Sequence, residues 1–367
     1  MTKKIRIATV FSGIGAPEQA LKKIGVNYDI VFACDNGERE LKINERMIKE
    51  YIEDNKLSDK KAQQYIKRLY DETGKENYVE KSYKANYKIQ EKDFYQDIRF
   101  LNGKKYRHKV DVFVGGSPCQ SFSISGKRRG LEDARGTLFY EYARLVKEVQ
   151  PKVFIYENVP GMLSHDKGKT WSVISNVFDK LGYYWELYKL TATDFGIPQD
   201  RTRIYVVGIK KGSTANDKLK IKKQKLTTEV SDYLEKNVPE KYYHREKGFK
   251  WITKPLSLEK RVSINSKIAR TQAANQQFNW CGDAIFEKVG KRKFPKDIYV
   301  GKYKGVKGVA RKLTPRECLR LMGFDDSFKI VVPDNKMYRQ SGNSIVVNVL
   351  ESIFKGLIKM GVLNGNN

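Results

Sequence analysis

Histidine is nearly missing from this chain: three in 367 residues, at His108, His165 and His244. They are scattered, so a histidine-based triad or a His-rich metal centre has little to draw on. Cysteine is scarce as well. Cys34, Cys119, Cys281 and Cys318 stand far apart without a CxxC pair, which argues against a disulfide framework or a zinc site; no metal is expected. Acidic residues number 43 against 71 basic ones, a net charge of +28. Long apolar runs are missing too, none approaching the roughly 18–20 residues needed to span a bilayer. The opening "MTKKIRIATVFSG" enters a strand pattern directly, with no signal-peptide cleavage site, so a cytoplasmic location is expected.

What is present points to a charged, globular protein. Hydrophobic residues make up 40% and charged residues 31%, the balance of a chain with a heavily charged surface. A charge of +28 favours a polyanionic partner, and nucleic acid is the commonest one. A merely solvated basic surface is the plain alternative.

Short apolar runs alternate with amphipathic segments from Met1 to about Lys211. The runs are "IRIATV", "YDIVFAC", "VDVFVGG", "KVFIYEN" and "RIYVVGI"; between them lie "LFYEYARLVKEVQ" and "TWSVISNVFDKLG". This rhythm predicts an α/β fold, a mostly parallel sheet with helices on both faces. A charged, helix-favouring excursion at about 38–92 interrupts it. After the basic linker "KKGSTANDKLKIKKQK" an irregular stretch to about Arg311 reads as a smaller domain. "RKLTPRECLRLMGF" predicts a short helix, its proline suited to the first turn, and "GNSIVVNVLESIFKGLIKMGVL" a long amphipathic one.

In open α/β sheets ligands collect outside the carboxyl ends of the strands. Phe11, Asp35, Cys119 and Glu157 all follow strand patterns and are expected on one rim. The turn "FSGIG" offers close backbone approach and helix N-terminal amides. It is not a dinucleotide fingerprint, because the third glycine position is Glu18, where a pyrophosphate would meet a carboxylate. Asp35 suits a ribose, since a carboxylate accepts from both hydroxyls. Arg201 and Arg203 precede a strand and reach the same rim only if that strand runs antiparallel. Cys119 is then either a small buried residue, as most free cysteines are, or a reactive thiol.

These residues resemble the DNA cytosine-5 methyltransferases. "FSGIG" is similar to the family's cofactor loop, "PCQSFSISGKRRGLEDARGTLF" to its nucleophile motif and mobile loop, and "ENV" to its base-reading glutamate motif. "QDRTR", "RKLTPRECLRLMGF" and "GNSIVVNVL" match three further motifs, all in the family's order. The resemblance implies a Rossmann-like domain over 1–211, a smaller, irregular, mainly β target-recognition domain over 212–311, a hinge at 312–342 and a C-terminal helix over 343–367 returning to the catalytic domain. It implies S-adenosylmethionine as donor, S-adenosylhomocysteine as product, and a cytosine flipped from duplex DNA as acceptor.

The motif-by-motif correspondence makes Cys119 the nucleophile, with Glu157, Arg203 and, less directly, Arg201 as its catalytic partners. The cofactor residues would be Phe11, Gly13, Ile14, Gly15, Asp35, Asn36, Asp97, Ile98, Pro118, Asn343 and Ser344. Asn36 departs from the family, whose members often carry a tryptophan there. Gln120, Ser123, Lys127, Arg128, Arg129 and Arg135 would meet DNA. A monomer, with a cognate restriction endonuclease as partner, is the expected organisation. The nearest competing reading is cytosine-5 methylation of tRNA, although such relatives lack a sizeable recognition domain.

Overall fold

A computed structural model of the chain describes residues 4–117, 138–212, 218–275, 281–290 and 294–363. It divides into two compact units, the first made of Met1–Leu190, Thr202–Lys222 and Leu350–Asn367, the second of Thr191–Arg201 and Lys223–Val349.

The first unit is built on seven strands: β1 (Ile5–Val10), β2 (Tyr28–Cys34), β3 (Phe94–Tyr95), β4 (Val112–Gly115), β5 (Val153–Asn158), β6 (Tyr183–Thr191) and β7 (Thr202–Lys210), in the order β3-β2-β1-β4-β5-β7-β6. The neighbours from β3 through to β5 pair in parallel, and β7 runs antiparallel to β5. The α/β expectation therefore holds, including the reversed strand that the two arginines required. Sequence patterning missed β6, whose burial alternates, and β3, which is only two residues long.

The registers line up the strand ends. One row of backbone partners crosses the sheet through Tyr95, Cys34, Val10, Gly115, Tyr156 and Val206. Phe11, Asp35, Gly116 and Glu157 each come directly after a member of that row, so parallel pairing alone sets them along one rim.

Below the row, β1 and β5 are buried nearly throughout, as strands covered on both faces must be. The helix Leu138–Val149 turns Phe139, Tyr142, Ala143, Leu145, Val146 and Val149 inward at helical spacing. Phe154, Phe178 and Tyr183 pack with them, the first two rings stacked at 5.4 Å. Truncating Phe154 to alanine would cost about 3–5 kcal/mol from lost burial and the cavity left behind.

The excursion folds into three helices, Glu45–Asp54, Asp59–Asp71 and Tyr78–Asn86. Ile48, Ile66, Leu69 and Tyr70 form a small core of their own.

The second unit carries β8 (Val262–Ile264), β9 (Gly282–Lys288), β10 (Gly301–Tyr303) and β11 (Val306–Lys312), in the order β10-β11-β9-β8. Around this sheet run short helices and irregular chain. Pro315–Arg320 is the short helix foreseen; Thr314 caps it and exchanges bonds with Glu317 in a capping box. The tail differs from the continuous helix expected. Asn343 ends a helix begun at Asp334, Ser344 is extended, and a new helix runs from Val347 to Lys359. No helix among the described residues is long and apolar enough to cross a membrane.

Candidate active site

The turn after β1 bends by placing alternate residues in left-handed conformation: Phe11 at φ 51, Gly13 at φ 52 and Gly15 at φ 74. For a phenylalanine this costs on the order of 1–3 kcal/mol, and such strain persists where the surroundings impose it. They do here. Ser12 donates its amide to the Cys34 carbonyl at 3.2 Å, and the Ser12 hydroxyl accepts from the Cys34 amide at 3.0 Å.

Asp35 completes the fastening. Its carboxylate accepts from the Gly13 amide at 2.9 Å and from the Gly37 amide at 2.8 Å. Burial pushes this carboxyl above its ordinary range, against the two amide bonds that pull it down. Asn36 spans its own turn, accepting from the Glu38 amide at 3.0 Å and donating to the Arg39 carbonyl at 2.8 Å. Asp97 accepts from the Arg99 side chain and from the Tyr70 hydroxyl, the latter at 2.6 Å. Ile14 and Ile98 are buried beneath, while Phe11 and Asp35 stay half-exposed. An aromatic face, a carboxylate and a glycine turn thus gather at three neighbouring strand ends, a donor set that fits a nucleoside.

Glu18 requires a correction. It is fully buried, and the Tyr83 hydroxyl donates to it at 2.6 Å. Its carboxylate faces the interior, so it does not guard the turn against a pyrophosphate.

The antiparallel strand β7 returns Arg203 to the end of β5, where its Nε lies 3.3 Å from Glu157 Oε1. Both side chains are mostly buried yet still reach solvent, and the guanidinium also donates to the Thr202 carbonyl at 2.8 Å. Beside them Asn158 donates to the Ser117 carbonyl at 3.1 Å and to the Tyr156 hydroxyl at 2.9 Å. The hydroxyls of Tyr156 and Ser117 meet at 2.7 Å. Ser117 is therefore clamped two positions before Cys119. Nothing in the sequence reading singled out Tyr156 and Asn158 for this, although both flank Glu157 in "FIYENV". Pro118, Cys119, Gln120, Ser123, Lys127, Arg128, Arg129 and Arg135 lie outside the described residues. Cys34 and Cys318 are buried, and burial raises both thiols well above the usual range, which makes them poor thiolates.

Arg201 belongs to the second unit and is buried there. Its guanidinium donates to the carbonyls of Gln272 at 2.7 Å, Gly342 at 3.1 Å and Ser344 at 2.8 Å. Its geometry is that of a brace holding the segment with Asn343 and Ser344. Gln199 works alongside, donating to the Leu321 carbonyl at 2.7 Å and accepting from the Gln272 amide at 3.0 Å.

Comparison with known proteins agrees with these observations. Residues 67–359 match the family described as C-5 cytosine-specific DNA methylase. The chain is 30% identical to the orphan methyltransferase M.SPRI of Bacillus phage SPR, over 97% of this chain and 98% of that protein. It is 35% identical to the type II methyltransferase M.HpaII of Haemophilus parainfluenzae, over 78% of this chain and 82% of the relative. Among solved structures, a DNMT2 variant from Spodoptera frugiperda superposes with a TM-score of 0.67 at 20% identity, covering 97% of this chain and 100% of that one.

Proposed function

The chain belongs to the C-5 cytosine-specific DNA methylase family, and from this we propose that it moves a methyl group from S-adenosylmethionine to carbon 5 of a cytosine flipped out of duplex DNA. The observation that carries the reading is the Glu157–Arg203 pair at 3.3 Å, on the same rim as the clamped Ser117 that leads into Cys119.

Phe11, Asp35, Asp97 and Ile98 would hold the cofactor, which supplies a methyl group activated by its sulfonium. Asn343 and Ser344 take their cofactor role from the motif alone. Carbon 5 of cytosine is a poor nucleophile. The Cys119 thiolate adds to carbon 6, and the resulting enamine gives carbon 5 the electron density to attack the methyl. Loss of the carbon 5 proton to water then expels Cys119 as thiolate, returns the nitrogen 3 proton to Glu157 and restores the ring. Glu157 hydrogen-bonds nitrogen 3 and the exocyclic amine, which makes carbon 6 more electrophilic. Arg203 orients Glu157 and adds positive charge that favours the thiolate.

Extracting the base costs a few kcal/mol, offset by phosphate contacts of a protein with net charge +28. Named relatives come from type II systems and from phages as orphans, so the cellular role proposed is the cytoplasmic modification arm of a restriction-modification system. The test supplies methyl-labelled S-adenosylmethionine with duplex DNA and with tRNA in parallel, followed by bisulfite sequencing of host DNA. Label confined to tRNA, or full transfer by Cys119→Ser, would overturn the proposal.

A further inference from the structure

None of the motifs quoted for the proposed reaction lies in the helical excursion, yet its side chains reach each of the three loops that gather at the strand ends. Tyr87, just past its last helix, lays its ring against the turn after β1. A Cβ on Gly15 would stand 2.2 Å from that ring, so only glycine at position 15 lets the two approach. The Tyr87 hydroxyl is directed at the carbonyls of Gly15 at 2.8 Å and Ile14 at 3.2 Å.

Asn77 acts on the loop after β2. Its Oδ1 caps the helix Tyr78–Asn86 by accepting from the Val79 and Glu80 amides, at 3.1 and 3.0 Å. Its amide nitrogen donates to the Asp35 carbonyl at 2.9 Å and to Gln96 Oε1 at 3.0 Å. A Cβ on Gly37 would lie 2.2 Å from Asn77 Oδ1, so this loop too is shaped to the insertion. Tyr70 acts on the third loop, donating its hydroxyl to Asp97 Oδ2 at 2.6 Å. Tyr70, Asn77 and Tyr87 are all buried.

We propose that the inserted helices form a wall of the cofactor site, with Tyr87, Asn77 and Tyr70 as positioning residues that fix the Gly13–Gly15 turn, Asp35 and Asp97 for the cofactor. The inference rests on the reading of those loops as the S-adenosylmethionine site. An ornamental surface helix would turn polar residues outward on every face. Here three different loops each receive a buried polar side chain, and two of those loops carry a glycine where anything larger would collide with it. None of the three side chains has to touch the cofactor; each sets a backbone or carboxylate that does.

The experiment uses the full chain. S-adenosylhomocysteine affinity is measured by titration calorimetry, and the KM for S-adenosylmethionine and kcat by methyl transfer. Duplex DNA affinity and thermal unfolding are followed in parallel. Tyr87→Phe and Tyr70→Phe keep the rings and remove one hydroxyl each. Each is expected to raise the S-adenosylhomocysteine Kd and the KM by about three- to tenfold, the loss of one buried hydrogen bond, with a smaller change in kcat and DNA affinity. Met47→Ala, on the exposed face of the insertion, is expected to move none of these.

Unchanged cofactor affinity in both tyrosine variants would overturn the inference. So would a fall in melting temperature and active fraction with the Kd unmoved, which is the signature of a purely structural role. A wild-type chain that binds no S-adenosylhomocysteine would instead sink the proposed function, and the inference with it.

Discussion

Arg203 Nε stands 3.3 Å from Glu157 Oε1 because β7 runs against β5, pairing Glu157 with Tyr205 and Asn158 with Ile204. Parallel pairing would have carried the arginine to the opposite edge of the sheet. Glu157→Gln can still hydrogen-bond nitrogen 3 but has no carboxyl proton to give it. Single-turnover methyl transfer is expected to fall by about 10²–10⁴-fold, with duplex DNA still bound. Transfer within a factor of three of wild type would refute the assignment.

Asn158→Ala unfastens Ser117. The variant leaves the Ser117 carbonyl and the Tyr156 hydroxyl each one bond short in a buried setting, at a cost of about 1–3 kcal/mol. Urea titration should report that loss. Methyl transfer should fall further than the folded fraction does, because the residue fixes Ser117, which leads into the proposed nucleophile Cys119.

Stability should depend on pH through Glu18. Burial raises its pKa to about 7 from an ordinary 4.5, so the folded state holds a proton that the unfolded state releases. Its contribution is complete below pH 4.5 and is lost as pH rises through 7, on the order of 3 kcal/mol by pH 8. Asp283, raised to about 6, acts in the same direction; His244, lowered to about 4, acts oppositely. Comparing wild type with Glu18→Gln isolates the one group. The variant should gain relative to wild type between pH 5 and pH 8 in urea titrations, and parallel curves would refute the expectation.

Arg311 and Glu317 form a doubly bonded pair in the second unit, at 2.9 and 3.0 Å, with side chains 1% and 0% exposed. Arg311→Ala strands the Glu317 charge and is expected to cost about 3–5 kcal/mol, read as an earlier calorimetric transition. Replacing Glu317 as well removes the stranded charge but also the Thr314 capping box, so the doubly apolar variant should recover only part of that loss.

DNA affinity should fall steeply with salt, with a log–log slope near −0.9 for each phosphate neutralised. A flat response would separate the net charge of +28 from DNA binding altogether.

The strands that anchor the rim were legible because they are buried on both faces and read as continuous apolar runs. β6 was not, since "YYWELYKLT" mixes aromatic and charged residues on a margin of the sheet where burial alternates. Phe11, Asp35 and Glu157 could be placed from topology, as ends of neighbouring strands. The second parts played by Tyr70, Asn77, Tyr87 and Asn158 could not. Each depends on a partner brought close only by folding, and a tyrosine in an amphipathic helix looks the same whether it meets solvent or a loop. Nor could the partners of Arg201: two positions from Arg203 in sequence, it bonds carbonyls of its own unit, which no sequence pattern announces.

Those carbonyls bear on how such a protein can diversify. Arg201 and Gln199 grip the segment at Gln272 through its main chain alone, and every residue type except proline presents the same carbonyl and amide. Substitutions near Gln272 therefore leave the grip intact, and no compensating change is demanded of the arginine or the glutamine. A lineage can rewrite the exposed positions beside the buried Gln272, such as Arg270, Thr271 and Ala273, one residue at a time without loosening the grip.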